Sequence, residues 1–503
     1  MPRKPDLKVL HRIVHFFTPN YHLLNGRKVF AVLFGLSLFL RLPFFFRDYI
    51  DRDESTFILV AQSWVDGFLP YTQLWDLKPP LTFLFFAIII KIFGKSLFVI
   101  RLIGTLTVAS TAFFTYKIGD AVSTKKVGFW SAIGCVALQS MFGNIQGVMS
   151  EHISLLPFCI ALYLILSRKK GGWYFVSGLL IGVSIMSKLN MVYPAFFLGL
   201  FLLYESIRDK SLKKELPNLF LWVLGMILLI LITAIPYYAA KSINVWWQSI
   251  FMASLAYSSS KINSVFKVLP FCMILFLILF LLFRFKLVNI KTRSVQLLLA
   301  VIIGIVVSFI QVGKVNGHYL IQLYPFLLLL IAIGLNTLKF RKKFRVTQLL
   351  LFISILLPLE AYSEYVKIVK NKIEKGTFYN GAGFTIPQFL LKNKIKTKNI
   401  FFIEHHIGYW VLGKNPPTKV VTHPSNITRE EFFPYMENQR KTSNKELLYI
   451  LNDLQPEVIV VKKNRSIFHK EFTELNEYIT TYLLNHYTEI AIIDKAVVYQ
   501  RLK

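Results

Sequence analysis

Long apolar runs alternate with short basic clusters along most of this chain. The first run, 29–46, follows a basic N-terminus, 1–28, with no small-residue cleavage site before it, which predicts a retained first span and a cytoplasmic N-terminus. Five basic clusters come next: STKK near 123, SRKK near 167, RDKSLKK near 208, RFKLVNIKTR near 284 and KFRKKFR near 339. Between neighbouring clusters there is apolar sequence for an out-and-back hairpin, at about 20 residues per span. With the clusters on the cytoplasmic side, the outward turns fall at 143–151, 187–190, 237–266 and 311–319, and a last span over 346–362 carries the remaining chain outside. The count is about eleven if 81–94 does not cross, because a helix of that length rises about 21 Å against a hydrocarbon core of about 30 Å. The expected fold is a polytopic all-α membrane bundle of about 11–13 transmembrane helices over 29–362.

The pattern changes after 362. Residues 363–503 are polar and rich in Lys and Asn, with β-like runs NIFFI, EVIVV and AVVYQ and helical stretches at 386–394 and 443–454. This predicts a soluble α/β domain on the extracytoplasmic side. No repeat of 20 to 50 residues and no low-complexity tract is visible.

Composition agrees with a membrane chain: 54% of residues are hydrophobic and 15% aromatic. The net charge of +31 could suggest nucleic acid, but the basic residues sit in loop clusters between apolar runs, so no nucleic-acid partner is expected. Cys135, Cys159 and Cys272 all lie inside apolar runs without metal-type or paired spacing, and read as packing residues.

The acids are distributed unevenly. Between Leu216 and Leu359 there is no Asp or Glu, whereas the first predicted external loop, 47–80, holds Asp48, Asp51, Asp53, Glu54, Asp66 and Asp76. Asp48, Asp51 and Asp66 read as ordinary solvated loop acids. Asp53 and Glu54 precede STFILVAQSWV, which reads as an amphipathic helix at the membrane interface. A carboxylate partly desolvated there beside a like charge has its pKa raised, which suits a general base. In LWDLKPPLTF, Pro79 and Pro80 stiffen the chain and hold Asp76 and Lys78 at the membrane mouth, although a plain proline-started helix explains the same residues. The predicted topology places Glu151, Lys188, His318 and Tyr319 on the same side as Asp53, Glu54, Asp76 and Lys78. A lysine between apolar spans, like Lys188, points to function, while His152 and His318 read equally well as packing histidines.

With RDE after the first span, an acid near KPP, then KIFGKSLFVIRL, GVMSEHISLLPF, GVSIMSKLNMVYPA and GHYLIQLYPFLLLL, the chain resembles the polyprenyl-phosphate-dependent glycosyltransferases of the GT-C fold. It is most similar to the bacterial branch related to protein O-mannosyltransferases and the lipid A aminoarabinose transferase. The resemblance covers most of 29–340 and, more loosely, the C-terminal domain. It implies an inner-membrane enzyme that moves one sugar from a polyprenyl (undecaprenyl-type) phosphate to an envelope glycan or lipid at the outer face, with inversion. Asp53 would then be the base with Glu54 supporting it. Lys78 and Lys188 would neutralise donor phosphate, and Asp76, Glu151, His318 and Tyr319 would orient sugar or acceptor. Leu77 separates Asp76 from Lys78, where the aminoarabinose transferase pattern has the acid abutting the lysine, so a lipid A acceptor does not carry over. Asp76 and His318 could together hold a divalent ion, which the sequence does not demand.

Other readings stay open. In IEHHIGYW, Glu404 and His406 would share a strand face, and a sheet edge explains them better than a metal site with no third ligand. The rival function from another class is a transporter or flippase of lipid-linked saccharide, which calls for charges along a midplane path; the acid-free stretch 216–359 speaks against it. A non-catalytic envelope assembly protein is the third reading.

Overall fold

The computed structural model describes residues 20–48, 50–141, 143–167, 171–259, 265–338, 358–421 and 425–502. Most of the basic N-terminus and of the span expected at 346–362 falls outside these ranges.

Among the described residues, seven helical stretches are long and apolar enough to cross a bilayer: Gly26–Phe46, Leu97–Val122, Ser150–Ser167, Leu189–Arg208, Leu212–Ala239, Phe266–Arg284 and Arg293–Val312. The protein is a multi-pass membrane protein. Pro80–Phe93, Gly171–Ser187 and Tyr324–Thr337 are apolar but shorter, and so is Lys125–Leu138. The length argument that set aside 81–94 therefore applies equally to three helices that the hairpin pattern takes as spans, because all four fall short of about 20 residues.

Burial separates the helices into two sets. The Ser150–Ser167 helix is 67% buried over its most apolar window, whereas Leu212–Ala239 and Phe266–Arg284 are only 17% buried. Phe220, Leu231, Phe276 and Phe280 of these two are exposed, the arrangement of helices whose outer faces meet lipid. The helices Gly171–Ser187 and Leu212–Ala239 cross almost in backbone contact. A Cβ at Gly178 would lie 2.0 Å from the Trp222 carbonyl oxygen, and one at Gly225 would lie 2.4 Å from that of Phe175. Small residues permit this approach, and dispersion across it replaces the hydrophobic drive that lipid removes.

The acidic loop folds inward. Asp51 caps the helix Arg52–Val65, its carboxylate accepting the Asp53 backbone N–H at 2.9 Å. The expected interfacial helix has one apolar face, but here Glu54 through Ala61 are all buried in succession. The helix Pro80–Phe93 packs against it on one side and the helix Ile407–Leu412 on another, with the Trp410 indole donating to Gln62 Oε1 at 3.0 Å.

Beyond Leu359 the chain forms the helices Leu359–Lys375, Ala382–Lys392, Ile407–Leu412 and Thr473–His486 around a sheet of β1 (Ile400–Phe402), β2 (Val458–Lys462), β3 (Tyr487–Ile493) and β4 (Ala496–Arg501). The sheet order is β1-β2-β4-β3, with β1 parallel to β2 and the other pairs antiparallel. The three β-like runs of the sequence supply β1, β2 and β4. Glu404 and His406 are not on a strand face: they lie in the turn between β1 and the next helix.

This C-terminal segment is fastened to the first loop. Asn380 N–H donates to Phe46 O at 2.9 Å and Trp75 N–H donates to Lys419 O at 2.9 Å. Asp48, expected to be solvated, is buried: it accepts the Gly383 N–H at 2.7 Å and faces His405 Nδ1 at 3.3 Å. Gly381 has φ +107°, and a Cβ there would stand 1.8 Å from Asp48 Oδ1, so the close approach requires glycine. Asp66 is exposed.

Substituting Gly178→Val should force the two crossing helices apart, costing about 1–3 kcal/mol. A melting midpoint in detergent lower by several degrees than wild type is the expected result.

Candidate active site

Two buried arginines brace the segments that carry the site. Arg41 donates to four carbonyl oxygens, of Gln139 (3.0 Å), Ile145 (2.8 Å), Gln146 (2.8 Å) and Gly147 (3.0 Å), and so shapes the turn that leads into the Ser150–Ser167 helix. Arg101, on the helix Leu97–Val122, binds Glu54 Oε2 at 2.6 Å and Oε1 at 3.2 Å, and its Nη1 donates to Phe44 O at 2.7 Å and to Arg47 O. Glu54 also accepts the Val148 N–H at 2.9 Å. This carboxylate is thus fully matched inside the bundle.

Successive helical residues point about 100° apart, so holding Glu54 inward turns Asp53 the other way. Asp53 lines a cavity of about 930 Å³. Asp76, Lys78, Lys188, His318 and Tyr319 line it too, which brings together six of the eight residues selected from the sequence. Glu54 and Glu151 are not on its wall. Glu54 supports Asp53 only through the helix, and not, as expected, as the like charge beside it.

Asp53 Oδ2 and Lys78 Nζ form an ion pair at 3.2 Å. Asp76 Oδ1 accepts the Lys78 backbone N–H at 3.2 Å, and the Tyr71 hydroxyl donates to the Lys78 carbonyl at 2.6 Å. The D-L-K-P-P turn is held from both sides. Across the cavity, Lys188 Nζ donates to Glu151 Oε1 and lies 4.8 Å from the Tyr319 ring centroid. His318 Nε2 is 3.8 Å from the same Glu151 oxygen. Glu151 therefore stands behind the wall and orients both groups, with Ser150 Oγ donating to its other oxygen at 3.1 Å.

Burial pushes the Asp53 carboxyl up, but the charges of Lys78, His318 and Lys188 outweigh it and hold it at about 2. The raised carboxyl is Asp51, pushed to about 7 by burial and then by the Asp53 charge. Burial also raises Asp76, against the opposing charge of Lys78. For Lys78, burial lowers the pKa, but Asp53 and Asp76 more than reverse this and raise it. Burial lowers Lys188 and His318, with Glu151 opposing in both cases.

Asp51 lines the cavity with Arg52, Asn190, Tyr257, Lys314, Asn426 and Arg429, none of them selected from the sequence. Lys314 lies four residues before His318 in the same predicted turn and could have been found there; Arg429, in SNITRE, carries no sequence signal. His152 is buried outside the cavity, its Nδ1 accepting the Met149 N–H at 3.2 Å. Glu404 faces Arg52 at 3.8 Å. Among the described residues no three or more His, Cys, Asp or Glu side chains converge as metal ligands. Of the pair expected to be able to hold an ion, Asp76 Oδ1 accepts the Lys78 N–H and His318 Nε2 lies 3.8 Å from Glu151 Oε1, while His318 Nδ1 has no hydrogen-bond partner among the described residues.

The architecture can be set beside solved proteins. ArnT from Cupriavidus metallidurans in the apo state superposes with a TM-score of 0.62 at 13% identity, covering 95% of this chain and 99% of that one. Its crystal structure bound to undecaprenyl phosphate gives a TM-score of 0.59 at 11% identity, over 95% and 97%. This chain has the GT-C glycosyltransferase fold. Residues 77–237 of the GT-C chain also match the family described as dolichyl-phosphate-mannose-protein mannosyltransferase. That match takes in Lys78, Glu151 and Lys188 and begins after Asp53. No curated protein matches the sequence.

Replacing Arg101 by Met strands a buried carboxylate at Glu54, and a destabilisation of about 3–5 kcal/mol is expected. Denaturation of the purified protein measures it, and Glu54→Gln in the same chain should recover part of the loss.

Asp51 gives a pH test. Its folded pKa is about 7 against 3.8 for the free side chain, so ionisation is disfavoured in the folded state. Its contribution is fully favourable below about pH 4 and is lost as pH rises through about 7. Asp51→Asn keeps the helix cap and removes the charge. The melting midpoint of this variant should gain on wild type by a few degrees between those limits and then level off.

Proposed function

We propose that this GT-C protein transfers a single sugar from a polyprenyl phosphate of the undecaprenyl type to a hydroxyl of an envelope glycan or lipid, in a cavity opening at the outer face of the bacterial cytoplasmic membrane. The observation that carries the reading is Asp53: a carboxylate on a cavity wall, ion-paired to Lys78, with Lys188 on the same cavity. The ArnT structure of like fold that is bound to undecaprenyl phosphate supports the donor class.

A sugar on a polyprenyl phosphate already has a stable anion as leaving group. The reaction needs a base for the acceptor and cations for the phosphate, and no acid. The acceptor oxygen attacks the anomeric carbon, the bond from that carbon to the phosphate oxygen breaks, and the hydroxyl proton passes to Asp53. One displacement inverts the anomeric centre, unlike the two-step scheme of retaining hydrolases.

The resting Asp53 is a weak base because Lys78 holds it ionised. A donor phosphate that draws Lys78 toward itself takes away this largest stabilising charge, and burial then raises the Asp53 pKa. Base strength thus develops when the donor binds. Lys188 contributes the second positive charge, with Glu151 fixing its position; the His318 ring and the Tyr319 hydroxyl are placed to bind sugar or acceptor. Asp76 fixes the Lys78 backbone.

The test uses purified protein in detergent with radiolabelled polyprenyl-phosphate sugars. Wild type should consume donor, and Asp53→Asn should be slower by about 10²–10⁴ while eluting normally in gel filtration. Undiminished turnover in that variant removes Asp53 as base.

A further inference from the structure

The cavity holds more cations than the proposed donor chemistry uses. Lys78 faces Asp53, Lys188 faces Glu151, and Arg52 faces Glu404 at 3.8 Å. Lys314 and Arg429 also line the cavity, and among the described residues neither forms an ion pair with a carboxylate. Asp76 is the acid whose field reaches Arg429, but its Oδ1 is bonded to the Lys78 N–H.

These two cations come from distant parts of the chain and meet at one ring. Lys314 Nζ lies 6.0 Å, and the Arg429 guanidinium carbon 5.6 Å, from the Tyr257 ring centroid. Phe432 packs against Tyr257 at 5.9 Å and against the Arg429 guanidinium at 5.8 Å, so the guanidinium is held by two aromatic faces. A third group points to a ligand independently. Asn426 is 4% exposed, it lines the same cavity, and its amide Nδ2 has no hydrogen-bond partner among the described residues. An unanswered buried donor is costly, and a ligand oxygen would answer it.

We propose that Lys314, Arg429 and the Asn426 amide form a second oxyanion subsite, which receives a phosphate or carboxylate group carried by the acceptor. Two positive charges and an amide N–H match the charge and oxygen geometry of such a group. The subsite rests on the glycosyl-transfer reading and adds to it a class of acceptor: an acidic glycan or glycolipid. A neutral acceptor would leave two cations and an amide donor unmatched, so the same groups select against it.

Binding to the full-length protein in detergent tests this. Wild type loaded with undecaprenyl phosphate is titrated with glucose 6-phosphate, glucuronate and glucose. The two anions should bind at least about tenfold more tightly than glucose, the effect of one or two charge-assisted hydrogen bonds. In the double variant Lys314→Met, Arg429→Met that preference should vanish while undecaprenyl phosphate affinity changes less than about twofold. The charge-conserving pair Lys314→Arg, Arg429→Lys should retain the preference, which separates loss of charge from loss of fold. An anion preference unchanged in the Met variant overturns the subsite. So does loss of undecaprenyl phosphate binding in that variant alone, because the two cations then serve the donor. If wild type itself fails to bind undecaprenyl phosphate, the donor assignment falls, and the acceptor role falls with it.

Discussion

The geometry of the site depends on the ion pair between Arg101 and Glu54. Both groups are buried, where an uncompensated charge would be prohibitive, and further bonds support each: Val148 N–H on the carboxylate, the Phe44 and Arg47 carbonyls on the guanidinium. The pair fixes the rotation of the Arg52–Val65 helix about its axis. Asp53 faces the cavity for that reason, since its neighbour has only one place to go. Arg41 does a related job on the turn before Glu151, gathering four carbonyls that would otherwise be unmatched in the interior.

Around the cavity the charges form three answered pairs, Asp53 with Lys78, Lys188 with Glu151 and Arg52 with Glu404, and two cations beside Tyr257 that, among the described residues, have no carboxylate partner. Under the proposed function, a phosphate entering beside Lys78 competes with Asp53, and that competition couples donor binding to base strength. Under the proposed chemistry, an ion pair that makes Asp53 inert at rest is what keeps water from being activated before a donor is present. Asp51, the carboxyl that burial and Asp53 push up to about 7, is the electrostatic cost of crowding acids at one helix start.

The C-terminal segment is part of this site. Arg429 and Asn426 come from it, the Ile407–Leu412 helix packs on the Arg52–Val65 helix, and Asp48 and Trp75 fasten the first loop to it. Trp75 is fully buried, its indole donating to Ser249 at 3.0 Å and its ring 5.4 Å from Phe432. The same Phe432 supports Arg429, so the loop that carries Asp76 and Lys78 and the segment that carries Arg429 share one aromatic cluster.

What the sequence determined by itself was the material and its coarse placement. Apolar runs marked the helices, the runs NIFFI, EVIVV and AVVYQ marked three of four strands, and the clustering of six acids in the first loop, with proline-stiffened Lys78 and the turn residues Lys188 and His318, marked the neighbourhood of the cavity. Those features are local, and hydrophobic pattern, proline geometry and charge read locally. Tertiary structure decided direction and partnership. Asp53 and Glu54 are neighbours with the same chemistry, and only Arg101, on another helix, sends one inward and leaves the other on the cavity wall. Asp48 looked solvated until Gly383 and His405 closed over it, and Asp51 until the cavity formed beside it. Arg429 has no signal in its own surroundings because its role comes from Tyr257 and Lys314, far away in the chain. Pairwise electrostatics falls off over a few ångströms, so it depends on which distant segments the fold brings into contact.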